Sequence, residues 1–131
     1  MKIRIDAVSD VGCVRTNNED MALILGEQLR DDKMKITFQP QEDERFAAIV
    51  ADGMGGYERG EEASAMATES FEKFLNGLAP DLDDSAIVMA LKKWCQQINA
   101  EILAAASGSG MGTTFTGILT YGGHVFVVNI G

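Results

Sequence analysis

The chain has 131 residues, 46% of them hydrophobic, enough for one domain with a real core, and its 20 acidic against 11 basic residues give a formal charge of −9, which repels nucleic acid and anionic membrane surfaces. Cys13 and Cys95 show neither CxxC spacing nor a disulfide framework, so no zinc site is indicated and a reducing compartment fits. No run near the N-terminus suits a signal peptide and none approaches the roughly 20 apolar residues of a membrane span, so a cytoplasmic protein is expected.

Partial alternation from Ile3 to Val8 predicts a first strand, ended by the turn formers Ser9-Asp-Val-Gly12. A polar cluster, Val14-Arg-Thr-Asn-Asn-Glu-Asp20, then runs into Met21-Ala-Leu-Ile-Leu25, a second apolar stretch of strand length. The charged segment from Gly26 to Arg45 reads mostly as a solvated connection with a short strand at Met34 to Phe38. Phe46-Ala-Ala-Ile-Val-Ala-Asp-Gly-Met-Gly-Gly56 reads as an apolar strand that delivers Asp52 to the edge of a glycine-rich turn, although Asp-Gly taken alone is also what a plain hairpin turn carries. From Gly60, the spacing of Ala63, Ala67, Phe71, Phe74, Leu75 and Leu78 predicts an amphipathic helix stopped by Gly77 and Pro80. Asp83, Asp84 or Ser85 can cap a second helix, whose stripe is Ile87, Leu91, Trp94, Ile98, Ile102 and Ala105, with Trp94 in the core. Ser107 to Gly112 reads as a flexible connection, and Thr113–Thr120 pairs with His124–Ile130 across Gly122-Gly123. His124, the only histidine, is expected to be an exposed strand residue. Blocks of strands around two helices predict one α+β domain over residues 1–131, an antiparallel sheet with helices on a face.

Glu19 and Asp20 open one strand and Asp52 closes another, so three acids can converge if the strands are neighbours. Carboxylates brought together repel, and an all-oxygen set calls for Mg²⁺ or Mn²⁺ rather than zinc. Arg15, four residues before Glu19, can present its planar fork to a phosphate. Other phosphate and cation motifs do not fit. GxxxxGK[ST] is absent, Glu58 stands where GxGxxG needs its last glycine, and Met54 and Gly56 replace the ligands an EF-hand loop requires after Asp52.

Asp10-Val-Gly-Cys-Val-Arg-Thr-Asn-Asn-Glu-Asp20, Val50-Ala-Asp-Gly-Met-Gly-Gly56 with Gly60-Glu-Glu-Ala-Ser64, and Gly110-Met-Gly-Thr-Thr114 resemble three successive motifs of the PP2C (PPM) family of metal-dependent protein serine/threonine phosphatases. Met54 after Asp-Gly resembles bacterial members. The resemblance implies an α/β/β/α sandwich of antiparallel sheets flanked by helices, with two Mn²⁺ or Mg²⁺ ions in a cleft. In that arrangement Asp52 bridges the ions, the Gly53 carbonyl binds one, Glu19 and Asp20 act through bound waters, and Arg15 grips the phosphoryl group of phosphoserine or phosphothreonine. A water acidified by both cations attacks phosphorus directly. Met54 cannot donate a proton, so the general acid is unassigned, and Thr113-Thr114 is read as structural. The implied partners are phosphoproteins, with a Ser/Thr kinase as the opposing activity.

The family pattern continues into Asp-Ser-Arg and two later aspartates, which are not in this sequence. The resemblance therefore implies the N-terminal part of the domain, incomplete at its C-terminal end, with weak metal binding and little turnover alone. The alternative from another class is a non-catalytic, phosphatase-like binding or regulatory module.

Overall fold

The computed structural model describes residues 2–41, 44–55, 59–108 and 110–131. Its order is β1 (Ile3–Val8), β2 (Asp20–Ile24), β3 (Glu27–Leu29), β4 (Lys33–Phe38), β5 (Ala47–Gly55), α1 (Arg59–Gly77), α2 (Asp84–Ala106), β6 (Met111–Thr113), β7 (Phe115–Tyr121) and β8 (His124–Ile130). The fold is α+β with antiparallel sheets, as the blocks of elements predict. One six-stranded sheet runs β3-β2-β5-β7-β8 with β6 on the far end of β5, and β1 pairs with β4 in a separate ribbon.

Strand alternation sorts the sheet into two faces. Leu23, Ala47, Ile49, Ala51, Phe115 and Leu119 pack against the helices, whereas Ala22, Ile24 and Leu29 meet Ile5, Ala7 and Met34 of the β1–β4 ribbon on the other side. Along β5, β7 and β8 that second face leaves Val50, Val125 and Val127 exposed.

α1 buries Gly60, Ala63, Ser64, Ala67, Thr68, Phe71 and Leu75, the three- and four-residue spacing of one helical face, while Glu61 and Glu62 complement the positive end of its dipole. Asp83 caps α2 by accepting the Ala86 N–H, and Ser107 ends it in the left-handed conformation. The stripe extends from Ile87 through Trp94, Ile98 and Ile102 to Ala106, one residue past the expected Ala105. At the centre the rings of Phe71, Trp94 and Phe115 touch mutually, each pair of centroids 4.9 Å apart, and Trp94 Nε1 donates to Ser70 Oγ.

Three expectations need correction. β5 does not stop at Asp52 but runs on to Gly55, because Gly53, Met54 and Gly55 pair with Thr113, Gly112 and Met111 of β6. Part of the expected flexible connection before Thr113 is therefore a strand; Gly56 and Ser109 lie outside the described residues. β4 is the strand expected at Met34 to Phe38, pairing with all of β1 and half-burying Met34, Ile36 and Phe38, but the described residues of this segment also hold a short strand that was not expected, β3. The charges there are not all idle in solvent, for Arg45 donates to the carbonyls of Leu78 and Ala79 and lies over the Tyr121 ring. His124 is exposed as expected, and its Nδ1 lies 2.7 Å from Asp84 Oδ1.

Phe71 is fully buried in the aromatic triangle. Phe71→Ala is expected to cost about 3–5 kcal/mol in denaturant unfolding; a loss below about 1 kcal/mol would show that helix docking does not depend on this ring.

Candidate functional site

β2 and β5 pair so that Asp20 stands directly opposite Asp52. By alternation Asp20 shares its face with Ala22 and Ile24, and Asp52 with Ala48, so both carboxylates leave the sheet on the side away from the helices. The segment before Asp20 is fixed by a backbone hub. The Glu19 carbonyl accepts the Gly53 N–H at 3.2 Å and the Ser64 hydroxyl at 2.6 Å, tying sheet, helix and loop at one oxygen. Only glycines permit this approach: a Cβ on Gly53 would lie 2.1 Å from the Gly60 carbonyl oxygen and 2.6 Å from that of Glu19, and one on Gly60 would lie 2.8 Å from Glu19 Cδ. On the other side, Thr114 Oγ1 accepts the Asp52 N–H and the Thr114 N–H donates to the Asp52 carbonyl, which makes Thr114 a brace for the acid's backbone.

The loop from Ser9 to Glu19 arches over these acids and leaves a cavity of about 200 Å³. Arg15, Glu19, Asp20, Asp52 and Gly53 all line it, together with Asp10, Asn17 and Asn18. Arg15 is 72% exposed and its Nη1 lies 3.7 Å from Glu19 Oε2, a loose pair that leaves most of its donors free for another anion. A larger groove of about 560 Å³ between α1 and α2 is floored by Phe74, Trp94 and Ile98 and gathers no comparable set of acids, so volume is a poor guide to the chemistry here.

Burial pushes the Asp20 carboxyl above the ordinary value of 3.8, the facing Asp52 carboxylate and a hydrogen bond to it push the same way, and Glu19 adds to them against the opposing Arg30 charge. The acids are therefore under mutual repulsion in the metal-free chain. Their oxygen donors suit a hard divalent cation in kind. In number they fall short, since among the described residues no three His, Cys, Asp or Glu side chains are grouped closely enough to hold an ion.

The family model for protein phosphatase 2C matches residues 24–131. The chain belongs to this family. That match begins after Arg15, Glu19 and Asp20, so the place of those three in the site rests on the geometry above. The chain is 29% identical to the serine/threonine phosphatase stp of Listeria monocytogenes serovar 1/2a over 127 residues, covering 94% of this chain and 45% of that protein. The stp phosphatase of Listeria welshimeri is 28% identical over the same length. The solved Mycobacterium tuberculosis serine/threonine phosphatase PstP/Ppp superposes with a TM-score of 0.66 at 26% identity, over 99% of this chain and 47% of that one. This chain thus spans about half the length of the PP2C proteins it matches.

Sequence reasoning passed over several residues that the PP2C fold places at or behind the cavity. Asp10 was read as a turn former, and it does accept the Gly12 N–H, but it also faces the cavity. Arg30 was grouped with the solvated charges; instead its Nε donates to the Asp20 carbonyl, and its Nη2 to the Glu61 carbonyl and Ser64 Oγ. Asn17 Nδ2 is a buried donor with no partner, and Asn18 is almost wholly buried. The signal available for the asparagines was their adjacency within a polar run that enters an apolar strand.

Two measurements follow. Gly53→Ala must separate β5 from the first turn of α1, and unfolding is expected to become easier by about 2 kcal/mol or more; an unchanged denaturation midpoint would contradict the contact distances. Because the folded chain holds the Asp20 proton more tightly than the unfolded chain, that contribution is complete below the ordinary 3.8 and is lost as pH rises through the raised value. Without divalent cations, Asp20→Asn should therefore melt progressively higher than wild type as pH rises above about 3.8, whereas a constant offset would remove the repulsion from the account.

Proposed function

We propose that this chain carries the acid and arginine part of a PP2C-type active site that hydrolyses phosphoserine and phosphothreonine in proteins. The observation that carries the reading is the single cavity lined by Arg15, Glu19, Asp20, Asp52 and Gly53, in a chain of this family. The relatives are named serine/threonine phosphatases, which supports phosphoproteins as substrates and a Ser/Thr kinase as the opposing activity.

Two Mn²⁺ or Mg²⁺ ions in the complete site would be held by Asp52, the Gly53 carbonyl, Asp20 and Glu19, and when bound would supply charge neutralisation and Lewis acidity toward a phosphoryl group. The chain's own residues do the rest. Asp20 and Asp52 form an anionic floor that rejects a phosphate until it is compensated, which couples substrate capture to cation uptake. Arg15, held loosely by Glu19, turns its fork toward the phosphate oxygens and sets the orientation of the ester. Thr114 and the Glu19 hub keep the Asp52 backbone from moving, so the acid meets its ligand without reorganisation. Met54 offers no proton to the leaving alkoxide.

The test is Mn²⁺-dependent hydrolysis of a phosphothreonine peptide, with Mn²⁺ uptake followed by calorimetry. Uptake is expected to be weak and turnover far below that of a full-length Listeria relative, because among the described residues no three acidic side chains are grouped closely enough to hold an ion; equal rates would overturn that expectation. Asp52→Asn should abolish both uptake and hydrolysis, whereas Arg15→Ala should raise KM about tenfold and spare kcat more. Hydrolysis that survives in Asp52→Asn would remove this residue from the mechanism. Phosphopeptide binding with no hydrolysis under any metal would favour a phosphatase-like binding module.

A further inference from the structure

Asn18 is 4% exposed and its side chain has no spare hydrogen-bonding group on the donor side. Nδ2 donates to Ser9 Oγ and to Asp31 Oδ1, both at 2.9 Å, while Oδ1 accepts the Asp20 N–H at 3.0 Å. One amide thus joins three places: the residue after β1, the β3–β4 turn and the first residue of β2. We propose that Asn18 is the positioning residue of this site, a buried amide that fixes the Asp20 backbone and closes the neck of the loop carrying Arg15. It rests on reading the cavity as a metal and phosphate site.

The reason lies in where the bonds fall. The loop leaves the β1–β4 ribbon at Ser9 and reaches the six-stranded sheet at Asn18, and the Ser9–Asn18 bond ties its two ends together, so residues 10–17 arch from a closed neck instead of a splayed pair of ends. The neck is braced from outside the loop. Ser9 N–H donates to the Asp32 carbonyl, and Asp31, held at φ +52°, turns its carboxylate onto Asn18. Asp10, Arg15 and Asn17 line the cavity from this arch, opposite Asp52. A serine or aspartate at position 18 would accept from the Asp20 N–H but would lack the two donors that reach Ser9 and Asp31 together. α2 and the β7–β8 hairpin make none of these bonds, so a fault at Asn18 should displace the site and leave the aromatic core standing.

Three variants test this, read by Mn²⁺ calorimetry and by amide hydrogen exchange of the 131-residue chain. Asn18→Leu removes all three bonds without altering charge. It is expected to weaken Mn²⁺ uptake about tenfold, the usual cost of losing an outer support of a metal site, and to speed exchange at Asp20 and in residues 10–17 while β7 and β8 stay protected. The charge-neutral swap Asn18→Asp with Asp31→Asn reverses the polarity of the 18–31 bond, lets the Ser9 hydroxyl donate to the new carboxylate so that the neck stays tied, and still accepts the Asp20 N–H, so it should recover most of both losses. Retained affinity and loop protection in Asn18→Leu, or a well-folded swap that recovers neither, would overturn the proposal. If Asn18→Leu does not fold, Ser9→Ala, which removes the hydroxyl that accepts both Asn18 Nδ2 at the neck and the Asp31 N–H, should speed exchange in residues 10–17, and no change there would overturn it equally. Should the wild-type chain take up no Mn²⁺, the reading of the cavity fails, and the exchange of residues 10–17 and Asp20 alone decides the role of Asn18.

Discussion

Everything at the cavity depends on the carbonyl oxygen of Glu19. It receives the Gly53 N–H from the central strand and the Ser64 hydroxyl from the first helix, and Ser64 in turn receives a donor from Arg30. A backbone oxygen with two donors is satisfied, and the one from Gly53 is main chain, which no rotamer change can release. The contact exists only because Gly53 and Gly60 carry no side chains where the strand, the helix and Glu19 meet. Two glycines thus place the acids more firmly than any bond made by the acids themselves.

That rigidity has an electrostatic consequence. Asp20 and Asp52 are cross-strand partners on one face, a pairing of like charges that sheets ordinarily avoid. The Arg30 guanidinium offsets it from behind, bonded to the Asp20 carbonyl and so unable to neutralise the carboxylate at close range. The repulsion stays in the cavity, and on the proposed reading a divalent cation would relieve it.

Most of the architecture was legible because it is written in local periodicity. The alternation of β1, the caps and stripe of α2 and the Gly122-Gly123 hairpin each require only neighbouring residues. Most of what escaped was set by distant partners. β5 continues past Asp52 because β6, across both helices, pairs with its glycines, and nothing local distinguishes that from a turn. β3 gains its identity from β2, and Arg30 its role from a helix far along the chain. The candidate acids and Arg15 could be named from a motif, and Thr114 is structural as read, but Asn18 and Ser64, which bond the backbone at Asp20 and Glu19, are small polar residues whose meaning appears only when their partners are in place.

β5 is flanked by partners of very different sequence distance. Ala48 meets Ile24 a short way upstream and Ile118 far downstream, beyond α1 and α2. During synthesis the β2–β5 pair can form early, but the open side of β5 waits for most of the remaining chain to emerge, and Thr114 reaches the Asp52 backbone only then. Until that moment a row of unpaired amide and carbonyl groups is presented to any other nascent chain, the condition under which sheets join wrongly. The same late arrival that completes the bracing of Asp52 also closes this side of β5.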